Sequence, residues 1–114
     1  MTKESNIQNQ IRLALSSVGA VMFRNNVGQT TTDDGRVIRY GVCNPGGADL
    51  IGWKPVVITE KMVGSTLAVF CAVEVKRPGG KVSESQQRFL DAVNRAGGMA
   101  GVARSPEEAL KITE

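Results

Sequence analysis

The sequence predicts an α/β fold in which helices flank a mixed β-sheet. Three patterns support this class: an amphipathic segment at residues 6–18, an apolar run at residues 67–76, and a second amphipathic segment at residues 83–95. Apolar residues spaced by 3.6 positions are typical of a helix packed on one side, and a continuous apolar run is typical of a strand covered on both faces. Helix and strand signals that alternate along one chain indicate the α/β class.

The first half of the chain predicts a helix, a strand and a hairpin. Apolar residues recur at helical spacing over residues 6–18, and the short apolar segment at residues 20–25 follows as a strand. The polar residues 26–41 contain Asp34-Gly35, a dipeptide that suits a tight hairpin turn. We therefore expect an exposed hairpin after the first strand.

A glycine-rich turn and a central strand are predicted next. Residues 44–47 (NPGG) read as a turn, and residues 48–53 (ADLIGW) read as a strand that begins almost at Asp49. Residues 56–59 are expected to extend this strand or to pair with it. The run at residues 67–76 predicts a central strand covered on both sides, which the sequence RPGG then ends.

The last third predicts a helix, a strand and a helix. Residues 83–95 place apolar side chains on one helical face before a pair of glycines, and residues 99–103 return as a short strand. Ser105 and Pro106 have the order of an N-cap followed by proline at the first helical position. A short helix is therefore expected near the end of the sequence.

Length and composition are those of an ordinary globular domain. The chain has 114 residues, of which 41% are hydrophobic and 22% charged, so we expect a single domain over residues 1–114. No apolar run reaches the roughly 18 to 20 residues that span a bilayer. The first residues are polar where a secretory signal needs an apolar core. We expect a cytoplasmic protein of a bacterial or phage-infected cell, without membrane contact.

The residue types that are absent exclude several kinds of chemistry. The sequence has no histidine, which excludes Ser/His/Asp and Cys/His catalysis and histidine metal ligands. Cys43 and Cys71 are too few for a four-ligand zinc site, and Cys71 is expected to be a small core residue. The net charge of +3 is compatible with an anionic partner such as nucleic acid. Any catalysis must therefore use carboxylates, lysine, hydroxyls or a metal.

Two carboxylates and a lysine are placed where a metal site could form. Side chains alternate along a strand, so Glu74 and Lys76 share one face while Val75 points to the opposite, packed side. Asp49 begins its own strand beside a glycine-rich turn, where the backbone can open for a ligand. Hard divalent cations such as Mg²⁺ prefer carboxylate oxygens, water and phosphate oxygens and need no histidine.

An aspartate followed later by E-x-K on an apolar strand resembles the PD-(D/E)xK nuclease superfamily. Over nearly its whole length the chain resembles a virus-type replication-repair nuclease (VRR-NUC) domain. The segments that carry the resemblance are RNNVG at 24–28, GGADLIGW at 46–53, AVEVKRPGG at 72–80 and SESQQRFLDAV at 83–93, which a glycine pair follows. E-x-K alone is a weak signal, and its value comes from the ordered motifs around it.

The resemblance implies a restriction-endonuclease-like fold, a mixed sheet flanked by helices, and the catalytic site of that superfamily. Asp49 and Glu74 are then expected to bind Mg²⁺ or Mn²⁺ together with the backbone carbonyl of Val75. Lys76 is expected to orient or activate the attacking water. The candidate catalytic residues are thereby Asp49, Glu74 and Lys76.

Two further residues match the family with alternatives open. Gln86 matches the catalytic helix glutamine, but Ser83-x-x-Gln86 is equally a capping box, and both interpretations stay open. Glu4 matches the acidic residue of the first helix only loosely, as a further metal ligand. Ala48 stands where the superfamily name expects proline, which would only pre-shape the approach to the strand.

Each candidate also has a plain structural interpretation. Glu74 and Lys76 could be charges at the exposed end of a strand, and Asp49 could cap the preceding turn through its side chain. The candidate DNA-binding residues, any of which could instead be a solvated charge, are Arg24, Arg36, Arg39, Arg77 and Lys81. Trp53 and Tyr40 could stack on bases, but a core role is expected for both.

The resemblance implies a Mg²⁺- or Mn²⁺-dependent, structure-selective DNA endonuclease. Stand-alone members of this family and size resemble Holliday junction resolvases, so we expect action on four-way junctions as a homodimer, an expectation that rests on the family and the substrate and on no residue pattern. One alternative is a nuclease of phage replication that acts on flaps or nicks. Another is a catalytically silent nucleic-acid-binding module with the same fold.

Overall fold

A computed structural model describes residues 3–114, and the predicted mixed α/β class is confirmed. The chain folds as two compact units, Met1–Lys54 and Pro55–Glu114, whose strands hydrogen-bond in three two-stranded ladders. Between residues 3 and 114, no helix combines the length and the apolar character that crossing a membrane requires.

The first unit opens with the predicted helix. Helix α1 spans Glu4–Ser17, and Val18 is its C-cap. Gly19 follows with a φ of +86° that a residue with a side chain rarely adopts. Ala20 is buried directly after it. Leu15 is half-buried, while Ile7 and Ile11 stay exposed, so α1 covers its unit with only part of its apolar face.

Two antiparallel ladders complete the first unit. Strand β1, Val21–Arg24, pairs with β4, Leu50–Trp53, in a register that sets Arg24 opposite Leu50. Strands β2, Gly28–Thr31, and β3, Val37–Tyr40, form the predicted exposed hairpin.

The hairpin turn is stabilised by side chains around Asp34. Its carboxylate accepts hydrogen bonds from the Thr32 hydroxyl and from Arg36 Nε. The Thr32 bond first, and Arg36 second, lower the pKa of Asp34 below its usual value. Asp34 therefore keeps its charge until the pH falls below the ordinary aspartate range.

The prediction of a strand at residues 56–59 is wrong. No ladder includes these residues, and Val57 and Ile58 are strongly exposed. A short 3₁₀ helix, Glu60–Met62, follows them. β-Branched residues favour strands only where a neighbouring strand and a packed face are available, and this segment has neither.

The second unit is a strand–helix–strand motif with one more helix. Strand β5 spans Cys71–Val75 and pairs in parallel with β6, Met99–Ala103, while helix α2, Glu84–Arg95, connects them. Helix α3, Pro106–Ile112, packs on β6 with Ser105 as its predicted N-cap. The core of this unit is made by Leu90 and Val93 of α2 with Ala103 of β6.

The expectation of a central strand covered on both faces is wrong for β5. Within the described chain β5 pairs only with β6, and Val73 and Val75 are exposed, Val75 by 76%. The half-buried face is the one that carries Ala72 and Glu74, because α2 lies against that side. Val75 therefore points away from the packed side.

The core role expected for Cys71 is also wrong. Cys71 is exposed, as is Cys43. Along β5, Cys71 shares the exposed face with Val73 and Val75, since alternate residues of a strand point the same way.

Candidate active site

Glu74 and Lys76 lie together at the carboxyl end of β5. Their side chains are 31% and 21% exposed, and Lys76 Nζ lies 3.6 Å from Glu74 Oε1. Because both residues are on the face that α2 covers, the two charges are partly shielded from solvent, and their attraction is stronger than that of a fully exposed pair. The predicted sharing of one face is confirmed.

Gln86 joins this pair through a single side-chain amide. Its Oε1 accepts from the Ser83 backbone N–H at 3.0 Å, and its Nε2 donates to Glu74 Oε1 at 3.1 Å. The Ser83 hydroxyl accepts from the Gln86 backbone N–H at 3.1 Å, which completes the capping box. The capping-box interpretation of Gln86 is confirmed, and the same side chain also contacts Glu74; its catalytic role stays a prediction.

The two partners of Gln86 fix the orientation of its amide. A backbone N–H can only donate, so it requires the amide oxygen, and an ionised carboxylate can only accept, so it requires the amide nitrogen. The helix cap thus directs the Nε2 hydrogens toward Glu74. Gln86 Nε2 and Lys76 Nζ both approach Oε1, and Glu74 Oε2 accepts no hydrogen bond from residues 3–114.

The backbone around the pair is held by β6 and by a tight turn. Lys76 N–H donates to the Ala103 carbonyl at 3.1 Å, which continues the parallel ladder one residue past β5. The chain then turns at Pro78-Gly79, where Gly79 has a φ of +81°, and Gly80 N–H donates to the Arg77 carbonyl at 2.9 Å. The strand end is therefore rigid, and the loop after it turns away at once.

The oxygen atoms at this strand end could supply some of the ligands of a hard divalent cation. Glu74 Oε2 and the backbone carbonyl of Val75 are oxygen ligands of the kind that Mg²⁺ prefers, and Mg²⁺ usually keeps several waters and phosphate oxygens besides one or two carboxylates. Across residues 3–114, no three acidic or cysteine side chains gather into a group that could hold a metal ion. The carboxylate that the second unit places at this strand end is that of Glu74.

Asp49 is exposed and lies in the first unit, just before β4. Its backbone carbonyl accepts from the Asn25 N–H at 2.8 Å, which extends the β1–β4 ladder by one residue. Its carboxylate makes no hydrogen bond to the preceding turn in the described chain, so the turn-capping interpretation finds no support.

Asn25 holds the loop before Asp49, a role that sequence reasoning missed. This buried side chain donates from Nδ2 to the carbonyls of Val42 and Ala48, both at 3.0 Å, and its Oδ1 accepts from Val42 N–H at 2.8 Å. The amide therefore satisfies three backbone groups of the loop. A single asparagine after a strand gives no sequence signal for such a role.

The remaining candidate residues of the first unit are exposed. Glu4 lies in the first turn of α1, Arg24 ends β1 and Arg39 lies on β3. Arg36 is engaged locally, with its Nε 3.0 Å from Asp34 Oδ2. Arg36 is thus the weakest of these candidates for DNA contact, because its charge is already compensated.

The aromatic residues divide between packing and exposure. Trp53 is half-buried against Phe23, with ring centroids 5.3 Å apart and planes tilted by 57°, in line with the expected packing role. The core role expected for Tyr40 is wrong, since 49% of it is exposed. Its ring lies over Gly28 of the facing strand, whose missing side chain leaves room for it.

Comparison with known proteins gives one match. Residues 4–107 match the model of a protein family described as the VRR-NUC domain, which covers nearly the whole chain and parts of both units. Neither the curated proteins nor the solved structures yield a match.

Proposed function

Because the chain belongs to the VRR-NUC domain family, whose members are nucleases, we propose that it is a metal-dependent, structure-selective DNA endonuclease. The observation that carries this proposal is the contact of Glu74 with both Lys76 and Gln86 at the end of β5. A carboxylate with one oxygen that accepts no hydrogen bond, beside an ammonium, is suited to hold a cation and a phosphate in one place. The family match supports a single domain over residues 1–114 with a restriction-endonuclease-like PD-(D/E)xK core.

The residues proposed to hold Mg²⁺ or Mn²⁺ are Glu74, through Oε2, the backbone carbonyl of Val75, and Asp49 as a second carboxylate. Asp49 and a weaker candidate, Glu4, are assigned from the family resemblance. A divalent cation, when bound, lowers the pKa of water and offsets negative charge on a phosphate. The chain's own contribution is to hold the carboxylate oxygens rigidly, since Gln86 restricts the Glu74 side chain.

Lys76 is proposed to act on the nucleophile or the phosphate. Its ammonium is anchored beside Glu74 and is a compact charge with three donors, which can orient a water or contact a non-bridging oxygen. The chain turns tightly after this strand end, where Gly80 N–H donates to the Arg77 carbonyl. Proton transfer at Lys76 is not required for this role, because orientation and charge alone favour attack on the phosphorus.

We propose a four-way junction as the substrate and a two-fold homodimer as the active form. A junction requires two symmetric cuts, and a two-fold dimer presents two identical sites. The family resemblance supports this substrate class. A protein that stays monomeric with junction DNA and makes unpaired nicks would contradict the dimer.

The test is cleavage of labelled four-way junction, flapped DNA and linear duplex at one salt concentration, with Mg²⁺, with Mn²⁺ and with EDTA. We expect paired cuts in the junction with either metal and none with EDTA. A single salt concentration is essential because phosphate-driven binding varies steeply with salt and imitates preference.

The same assay separates the alternatives. Preferred cutting of the flap indicates a nuclease of replication intermediates. Binding of DNA without any cleavage in either metal indicates a silent binding module. Cleavage that persists in EDTA would contradict the metal requirement.

Gln86→Glu tests the contact with Glu74 separately from the helix cap. Glutamate is also a good capping-box residue, so α2 keeps its cap, but a carboxylate then faces Glu74 in place of the donating amide. Loss of a hydrogen bond to a charged group costs about 1.5–3 kcal/mol, so we expect cleavage to fall by roughly tenfold to a hundredfold. Cleavage rate and thermal unfolding are measured together.

Ser83→Ala is the matched control for Gln86→Glu. It removes the hydroxyl that caps α2, at a cost of about 1 kcal/mol in the free energy of unfolding, while the bond from Gln86 to Glu74 is retained. We expect a lower unfolding temperature with nearly normal cleavage well below it. Normal cleavage by Gln86→Glu would show that Gln86 only caps the helix.

A further inference from the structure

Three cationic side chains lie in the loops that follow β5 and β6: Arg77, Lys81 and Arg104. Parallel strands end at the same edge of a ladder, so the loops after β5 and β6 emerge side by side. Arg77 and Lys81 are already candidates for DNA contact. Arg104 lies outside the sequence segments that carry the resemblance to the VRR-NUC domain.

Arg104 is placed beside Lys76 by the ladder. The last paired rung joins Val75 to Ala103, and Lys76 N–H still donates to the Ala103 carbonyl. Arg104 directly follows Ala103, and Lys76 directly follows Val75, so the two residues leave the ladder at the same end.

Two hydrogen bonds fix Arg104 in this place. Its Nη2 donates to the Gly80 carbonyl at 2.8 Å, and its backbone N–H donates to Glu108 Oε1 at 2.6 Å. The first bond ties the guanidinium to the loop after Lys76, and the second ties the backbone to the first turn of α3. The guanidinium is thus held on the same edge as the proposed catalytic pair.

The Arg104 guanidinium forms no ion pair within 4.0 Å in the described chain. Among residues 3–114 the ion pairs within 4.0 Å are Arg36 with Asp34 and Lys76 with Glu74, so no carboxylate lies that close to the Arg104 guanidinium. One of its five N–H donors binds Gly80, which leaves the others for a ligand. A guanidinium that is pre-positioned by a carbonyl loses little side-chain entropy when it binds a phosphate.

We propose that Arg104 binds a DNA backbone phosphate next to the one that is cut. This inference rests on the proposed nuclease function and adds a contact that orients the strand over Lys76. The competing interpretation is that Arg104 only braces the loop at Gly80, in which case its loss would change stability and leave the salt dependence of DNA binding unchanged.

The first test measures the affinity for a labelled four-way junction in EDTA between about 50 and 200 mM salt. Loss of one phosphate contact lowers the slope of log affinity against log salt by about 0.9. We expect Arg104→Gln to show this decrease, with affinity about tenfold weaker at the lower salt concentration. Arg104→Lys keeps the charge and is expected to keep the slope.

Arg95→Gln is the matched control. Arg95 is also exposed, but it ends α2, and the chain returns from there to the amino end of β6, where Met99 N–H donates to the Phe70 carbonyl at 2.9 Å. It therefore lies at the opposite edge of the ladder. We expect Arg95→Gln to show the wild-type slope of log affinity against log salt. A decrease equal to that of Arg104→Gln would show a general charge effect and would overturn the proposal.

A second measurement uses the wild-type protein and so does not depend on the folding of a variant. Phenylglyoxal modifies accessible arginines, and mass spectrometry reports the extent at each one with and without junction DNA. We expect DNA to protect Arg104 and to leave Arg95 reactive. Equal reactivity of Arg104 in both samples, or a normal slope for a folded Arg104→Gln, would overturn the proposal.

The two proposals fail in distinguishable ways. A wild-type protein that binds DNA with Arg104 protected but never cuts it contradicts the nuclease and leaves the phosphate contact standing. A wild-type protein that cuts junctions with Arg104 unprotected contradicts the contact alone.

Discussion

Glu74→Gln and Asp49→Asn are each expected to lower cleavage by roughly a thousandfold or more. A metal ion contributes several kcal/mol to charge stabilisation in the transition state, and each 1.36 kcal/mol changes the rate tenfold. A neutral amide is a poor substitute for a carboxylate ligand. In Glu74→Gln, only the oxygen of the new amide can accept from Lys76 and Gln86, because both of these side chains donate. The amide nitrogen, which is a donor, then takes the position of the other carboxylate oxygen. The measurements are junction cleavage and Mg²⁺ affinity by titration calorimetry, and both are expected to fall.

Glu84→Gln is the control for this charge change. Glu84 is exposed in the first turn of α2, two residues before Gln86, and it makes no ion pair within the described chain. We expect its cleavage and Mg²⁺ affinity to match those of the wild type. Wild-type cleavage by folded Glu74→Gln would remove Glu74 from the site, and the same result for Asp49→Asn would remove Asp49.

Lys76→Ala is expected to lower cleavage by about a hundredfold to a thousandfold while Mg²⁺ affinity is retained. In the proposed role the ammonium would supply positive charge and orientation at the reacting phosphate, and loss of such a group from a shielded site costs about a hundredfold to a thousandfold in rate. Its removal also frees Glu74 from a competing cation, so metal binding is not expected to weaken. The measurements are single-turnover cleavage at saturating Mg²⁺ and calorimetric Mg²⁺ affinity.

Lys81→Ala is the control for Lys76→Ala. Lys81 is an exposed cation in the loop after the same strand, and its loss is expected to weaken DNA binding by less than about tenfold without abolishing cleavage. Two outcomes would count against Lys76: near-normal single-turnover cleavage by the Lys76→Ala protein, or loss of Mg²⁺ binding as severe as that of Glu74→Gln.

Features that depend on local signals were predictable from the sequence. Helix α2 follows from its apolar face and its capping box, the β2–β3 hairpin from Asp34-Gly35, and α3 from Ser105-Pro106. Each of these signals acts within a few residues. The face shared by Glu74 and Lys76 was equally predictable, because alternation along a strand is a property of the backbone.

Features that depend on which elements meet were not predictable. The apolar run that ends in β5 indicated cover on both sides, but an apolar pattern does not reveal how many neighbours a strand has. Tyr40 was expected in the core, yet it packs over Gly28 on an exposed hairpin. The capping spacing suggested a cap at Gln86, but only the packing of α2 on β5 shows that the same amide also reaches Glu74.

The shared amide of Gln86 makes the start of α2 and the Glu74 carboxylate a single cooperative unit. Helix ends fray more readily than helix centres, because their first backbone groups lack partners within the helix. When the first turn of α2 frays, Ser83 releases the Gln86 oxygen and the amide no longer constrains Glu74. We therefore expect the cleavage rate to decline on heating, as the first turn of α2 opens, before the whole chain unfolds.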